Sequence, residues 1–194
     1  MMKVYSLIVM AACIAWAAPS FALVDVEGYG GLSFAGKFET PSGAAASEES
    51  VKVKGWDYGV RAHYTDKALL FRYGLGAFYQ QKPLSYSLSS TDFKAVNTTS
   101  GADCYLRLDT IPVFKPFVRA GLAVTDYVET KTGGTKVKSD MKYFNSYYTG
   151  GGIGFELPVP GITVMFFGEY LYNHQIYSGR MTGSTVNFGL NIGI

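Results

Sequence analysis

Cysteine, histidine, proline and charge are all scarce in this chain of 194 residues. Its two cysteines, Cys13 and Cys104, exclude a disulfide scaffold. Its two histidines, His63 and His174, lie far from each other and from the cysteines, so no metal-ligand spacing is present and no cofactor is implied. Charged residues make up 16% and the formal net charge is +2, which offers nucleic acid no basic patch. No apolar run reaches the ~20 residues that a membrane-spanning helix needs. What is abundant is an odd pairing: 15 Tyr and 13 Phe with 23 Gly. Aromatics favour strands, and glycine does not unless strands bend, close up or pack tightly. An apolar content of 48% excludes a disordered chain, and the length suits one domain.

The N-terminus reads as an address. Lys3 precedes an apolar stretch from Val4 to about Ala18, and Ser20-Phe21-Ala22 is a small-x-small cleavage site. This predicts a secretory signal peptide over 1–22 and a single mature domain over 23–194. A lipoprotein signal ending at Cys13 is the rival reading, with Met10 a poor first residue for it. The mature chain then holds one cysteine, Cys104.

From Val24 onward the residues alternate with period two. Val24, Val26, Leu32, Phe34 and Phe38 share one face; Asp25, Glu27, Ser33 and Lys37 share the other. The same alternation recurs around Trp56–Tyr64, Leu69–Gln80, Ala102–Asp109, Phe117–Thr125, Tyr147–Leu157, Ile162–Tyr172 and Val186–Ile194. It is the signature of strands with one apolar face. Polar loops are expected at 39–50, 81–101, 129–141 and 173–183, alternating with short turns such as Thr65-Asp66-Lys67 and Pro158-Val159-Pro160-Gly161. Long outer loops, short inner turns and an even strand number predict an all-β, eight-stranded antiparallel up-and-down transmembrane β-barrel.

Cost decides which face meets lipid. Arg61, Arg72, Arg107 and Arg119 all fall on the polar faces. An arginine turned to lipid near mid-depth costs roughly 2–4 kcal/mol, and a one-residue slip would expose every one of them. The apolar set therefore faces out. Strand direction puts the four arginines in the inner half of the lumen, with Glu27, Asp109 and Glu156 at similar depth and Glu169 nearer the middle. Buried charges must be paired, and eight strands leave room for little beyond side chains. A lumen filled by these charges and by aromatics is expected, with Gly150, Gly152 and Gly154 making space for Tyr148, Phe167 or Tyr29. Outward aromatics should form girdles: Phe38, Trp56, Tyr58, Tyr79, Tyr170 and Tyr172 at the outer rim, Tyr64 and Phe155 at the inner. Lys52, Lys54 and Asp126 share the outward parity but lie at outer strand ends, so they are expected above the membrane, with a bulge at Gly55.

The segments Pro116-Phe117-Val118-Arg119-Ala120-Gly121-Leu122, Gly152-Ile153-Gly154-Phe155-Glu156 and Phe167-Gly168-Glu169-Tyr170 resemble the small eight-stranded outer-membrane barrels: the OmpA transmembrane domain, OmpX and the opacity-like proteins. The C-terminal Asn187, Gly189, Ile192 and Ile194 resemble the signal read by the barrel-assembly machinery, with isoleucine where an aromatic is common. The resemblance implies an outer-membrane location among lipid and lipopolysaccharide. It also implies a non-enzymatic structural or surface-interaction role, with surface ligands meeting the four loops. Three other readings stay open at this stage. One is a narrow small-solute pore. Another is a lipid A-modifying enzyme, which would have to use His63, or His174 with Ser178, in the wrong spacing for a His-x-Ser pattern. The last is a soluble carrier barrel, which would need an apolar interior and would have arginine there instead. Gly150-Gly151-Gly152-Ile153-Gly154 lies within a strand pattern with no helix following, so it is not a phosphate loop.

Overall fold

The computed structural model describes residues 23–38, 55–68, 70–88, 91–111, 113–132, 135–138, 141–175 and 181–194. The expected leader, loop 39–50, Lys52 and Lys54 lie outside the described residues. The strands are β1 (Leu23–Phe38), β2 (Gly55–Ala68), β3 (Phe71–Leu88), β4 (Thr91–Leu108), β5 (Phe114–Thr132), β6 (Thr135–Lys138), β7 (Lys142–Tyr143), β8 (Ser146–Leu157), β9 (Thr163–Gln175) and β10 (Met181–Gly193). Eight of them are long and form a closed, wholly antiparallel barrel; β6 and β7 are short strands paired to β5. The ring closes where β1 pairs with β10, and Val24 and Ile194 exchange backbone hydrogen bonds of 2.9 and 3.1 Å at the seam. Closure removes sheet edges, so no backbone polar group along the wall needs water.

Side-chain direction follows the parity that the arginines dictate. Asp57, Arg61, His63 and Thr65 of β2 are buried, while Trp56, Tyr58, Val60 and Tyr64 between them are exposed. Phe71, Val118, Phe166, Phe188 and Ile192 all face outward. The molecule is thus inverted relative to a soluble domain, with polar groups inside and a greasy exterior. Trp56, Tyr58, Tyr79, Tyr170 and Tyr172 stand exposed on the outer half, and Tyr64 and Phe155 on the inner half, as the girdle expectation requires; the side chain of Phe38 lies outside the described residues.

Three expectations need correction. Residues 81–88 and 91–101 are strand and not loop: β3 and β4 stay paired from Phe71↔Leu108 through Leu88↔Thr91. Likewise β5 runs on to Thr132 and turns back through β6, within the expected loop 129–141, and β9 and β10 extend into 173–183. Beyond a membrane both faces of a hairpin are wet. The hydrophobic alternation then fades while backbone pairing continues, so the strand loses its sequence signal but not its hydrogen bonds. Second, Asp126 is inside, 3% exposed, not outside. A register shift between Ser100 and Gly101 leaves an extra residue in β5, which flips the parity beyond it. Third, the bulges occur there and between Phe34 and Lys37 of β1, whereas Gly55 pairs with Ser33 in regular register.

Candidate functional site in the lumen

The eight acidic and basic residues expected to form one lumen network form two. The first lies at mid-height. Glu27 and Arg61 are direct register partners on β1 and β2, and Arg119 and Glu169 reach them from β5 and β9. Arg61 donates from Nη1 to Glu27 Oε2 at 3.2 Å and from Nη2 to Glu169 Oε1 at 2.7 Å. Arg119 donates from Nη2 to Glu27 Oε1 at 2.7 Å and from Nη1 to Glu169 Oε2 at 3.0 Å. Each carboxylate is thus bridged by both guanidiniums, in a ring of four alternating charges. None of the four is more than 4% exposed. Side-chain amides add to the shell: Asn187 donates to Glu169 at 2.8 Å and Asn191 to Glu27 at 3.2 Å.

Sequence reasoning placed Tyr29 and Tyr148 in the lumen but did not name Asp103, Tyr105 or Asp25 as members of this site. Asp103 sits 3.6 Å from Arg119 Nε, contacts His63 Nε2 at 2.5 Å and accepts from the Tyr148 hydroxyl. The Tyr29 ring lies under Arg61, with the guanidinium carbon 3.8 Å from its centroid. Tyr105 donates to Asp25 at 2.6 Å. All share the inward parity already assigned to the arginines, which is the signal that could have found them. Asn187, matched by resemblance to an assembly signal, also ligates the quartet, while Ile192 and Ile194 of that signal face outward.

Apolar layers flank the quartet. Tyr29, Phe117, Met165 and Phe167 form one cluster; Phe78, Tyr148 and Leu171 form the other. Glycines on neighbouring strands seat these rings. A side chain at Gly59 would strike Tyr29, and one at Gly121 would strike Tyr148. Gly150, Gly152 and Gly154 do make space, but for Leu171, Phe117 and Met165 in place of the neighbours expected. Cross-strand register decides this, since Gly152 pairs with Phe117 and Gly154 lies beside Met165's strand.

Above these layers Asp57 accepts from Ser33 at 2.6 Å and Thr185 at 3.3 Å, and lies 3.5 Å from Lys82. A cavity of about 30 Å³ remains there, lined in part by Gln80, Lys82, Asn97 and Asp126, with room for about one water.

The second charge cluster lies at the short-turn end. Asp109 is 3.2 Å from Arg107, 3.5 Å from Arg72 and 3.5 Å from Lys115; Glu156 is 3.7 Å from Lys115 and 3.9 Å from Arg107. Burial pushes the Asp109 carboxyl up, but Arg107, Arg72, Lys115 and Lys67 outweigh it and hold it below the usual carboxylate range. The two clusters separate because register, not depth guessed from sequence, assigns partners: Glu27 lies opposite Arg61, whereas Arg72 lies opposite Arg107.

The histidines occupy unlike places. His63 is buried against Asp103, with Tyr105 edge-on at 5.1 Å. His174 is outside, stacked on Tyr147 at 4.5 Å and 3.2 Å from the Thr149 hydroxyl. Ser178 lies outside the described residues.

No family model and no curated protein matches this chain. Solved structures do. Neisserial surface protein A (NspA) aligns over 89% of this chain and 96% of its own, at 18% identity and a TM-score of 0.54. The chain has the fold of the small outer-membrane β-barrels. The outer-membrane protein OprG from Pseudomonas aeruginosa (14% identity, TM-score 0.48, 89% of this chain and 95% of that one) also aligns. So does Ail, the attachment invasion locus protein of Yersinia pestis (14%, 0.47, 89% and 98%).

Proposed function

We propose that this protein is an outer-membrane barrel with a structural or surface-contact role, its lumen held shut by the Arg61–Glu27–Arg119–Glu169 quartet. The single observation that carries the reading is that quartet, cross-bridged on all four sides and packed between two apolar layers. A hydrated channel would need these groups to face water; here they face one another. Breaking such a ring exposes charge to a low-dielectric interior, so the closed form is favoured. The fold supports a location in the outer membrane, where lipid and lipopolysaccharide would cover the apolar exterior. Asn187, Gly189, Ile192 and Ile194 would be read by the barrel-assembly machinery. Contacts with other molecules would fall to the outer ends, within 39–50, 81–101, 129–141 and 173–183. The protein acts without catalysis in this reading. Planar-bilayer recording of the refolded chain tests it. Silence or rare brief openings are expected; a large, steady conductance would replace the shut lumen with a pore.

A further inference from the structure

At the short-turn end of the lumen three cations stand in one row. Lys67, Arg72 and Arg107 are direct register partners across β2, β3 and β4. Like charges placed directly opposite destabilise a ladder unless something compensates them. Lys115 of β5 adds a fourth cation to the group. Among the described residues the carboxylates within ion-pair reach are Asp109 and Glu156, and these four cations share them. Asp66, the remaining acid beside this row, accepts from the outward Tyr73 hydroxyl at 3.0 Å and from the Lys67 backbone at 2.7 Å. The cluster therefore carries more positive than negative charge.

Its hydrogen bonds are incomplete on the same side. Arg107 is 1% exposed, yet its Nη2 has no hydrogen-bond partner among the described residues, with Glu156 too far at 3.9 Å. Arg72 Nη1 is likewise buried without a hydrogen-bond partner among the described residues, and its Nε makes none, with Asp109 Oδ2 at 3.5 Å. A buried guanidinium N–H left unmade is costly, so these donors describe a place for an acceptor. The cluster borders the short-turn end, where the Lys67 side chain is 58% exposed, Glu156 26% and Arg72 13%.

We propose that this end of the barrel binds a phosphate-type oxyanion between Arg72, Arg107 and Lys115. Two guanidinium forks match a tetrahedral oxyanion in geometry as well as charge, and the ammonium adds a third donor. The bound anion takes up the surplus positive charge and the orphaned N–H groups together. Free phosphate and a phospholipid headgroup at the barrel rim share this chemistry. The site does not depend on whether the lumen is shut. It uses the outer-membrane reading only to name this end periplasmic.

The test uses the full chain refolded in an uncharged detergent, with heat-modifiable gel migration confirming that each variant folds. Inorganic phosphate is titrated in one arm and short-chain phosphatidylglycerol, against phosphatidylcholine, in the other, both followed by calorimetry. Saturable binding in either arm is expected, and the arm that binds identifies the source. Arg72→Gln, at the edge of the cluster, should weaken binding roughly tenfold or more, and Lys115→Gln should act in the same direction. Lys138→Gln, on β6 at the opposite end, should leave it unchanged. Absence of saturable binding in both arms overturns the proposal. So does a loss in Lys138→Gln equal to that in Arg72→Gln, which would mean general charge attraction.

Discussion

Replacing Arg119 with methionine is the sharpest probe of the lumen. The guanidinium leaves, and with it the contacts to Glu27 at 2.7 Å, Glu169 at 3.0 Å and Asp103 at 3.6 Å. Methionine fills much of the space, so packing changes little. What remains is Arg61 facing two buried glutamates. Removing one partner of a buried ion pair typically costs about 3–5 kcal/mol, because the other charge is stranded. Here each glutamate keeps Arg61 and one asparagine, so the low end, about 3 kcal/mol, is expected. That is a large share of a typical domain's 5–15 kcal/mol. Adding Glu27→Gln removes one of the stranded charges and should recover about 1–3 kcal/mol, a coupling that only contact explains. Urea unfolding in vesicles reads both values through Trp56, which is 69% exposed on the outer surface and senses the lipid. Glu156→Gln, partly exposed at the rim, is the control and should cost under about 1 kcal/mol. If Arg119→Met loses less than about 1 kcal/mol, or the double variant is no better than the single, water solvates the quartet and the lumen is not dry.

Gly121→Val should cost about 1–3 kcal/mol in the same unfolding assay, since its side chain strikes the Tyr148 ring and pulls the hydroxyl from Asp103; a neutral result would mean the ring has room to move. Asp109 gives a pH signature: its folded carboxyl titrates below its unfolded value of about 3.9, so its stabilisation is complete above that value and disappears as pH falls through the lower, folded one. The stability gap between wild type and Asp109→Asn should hold constant near neutrality and close in acid. Cys104 is exposed and lies on the outward parity of β4. A fluorophore placed there should be quenched by brominated acyl chains, and a charged maleimide should fail to reach it in sealed vesicles; fast labelling would put this face in water. Trimming 84–95 to an Asn-Gly turn should leave heat-modifiable migration intact, because the pairs nearer the barrel carry the closure.

How far the sequence reveals this barrel depends on where each residue meets a contrast between lipid and water. Within the membrane the contrast is steep. Arg61, Arg107 and Arg119 fix the facing of their strands alone, and Phe71 and Leu122 fall outward as that rule demands. Outside, at 81–88 and 91–101, the contrast is gone and the strands are silent in sequence though paired in space. Asp126 fails for another reason: parity is counted from a fixed origin, and the bulge opposite Ser100 and Gly101 resets the count without a hydrophobic trace. The partnerships across the lumen are the least legible part. Glu169 and Arg119 lie on strands that do not pair with each other, and their meeting depends on barrel shear and tilt, which no local pattern encodes. Yet the composition of the inward set constrains the answer. Two arginines, two glutamates and the amides of Asn187 and Asn191 pair with one another where apolar side chains flank them on both sides. Phe117 and Phe167 on the short-turn side, and Phe78 and Tyr148 on the other, have that distribution because glycines on the facing strands give their rings somewhere to lie. The abundance of glycine and of aromatics is therefore one fact: each ring needs a strand neighbour with no side chain, and the dry layers they make are what turn four costly charges into a lock.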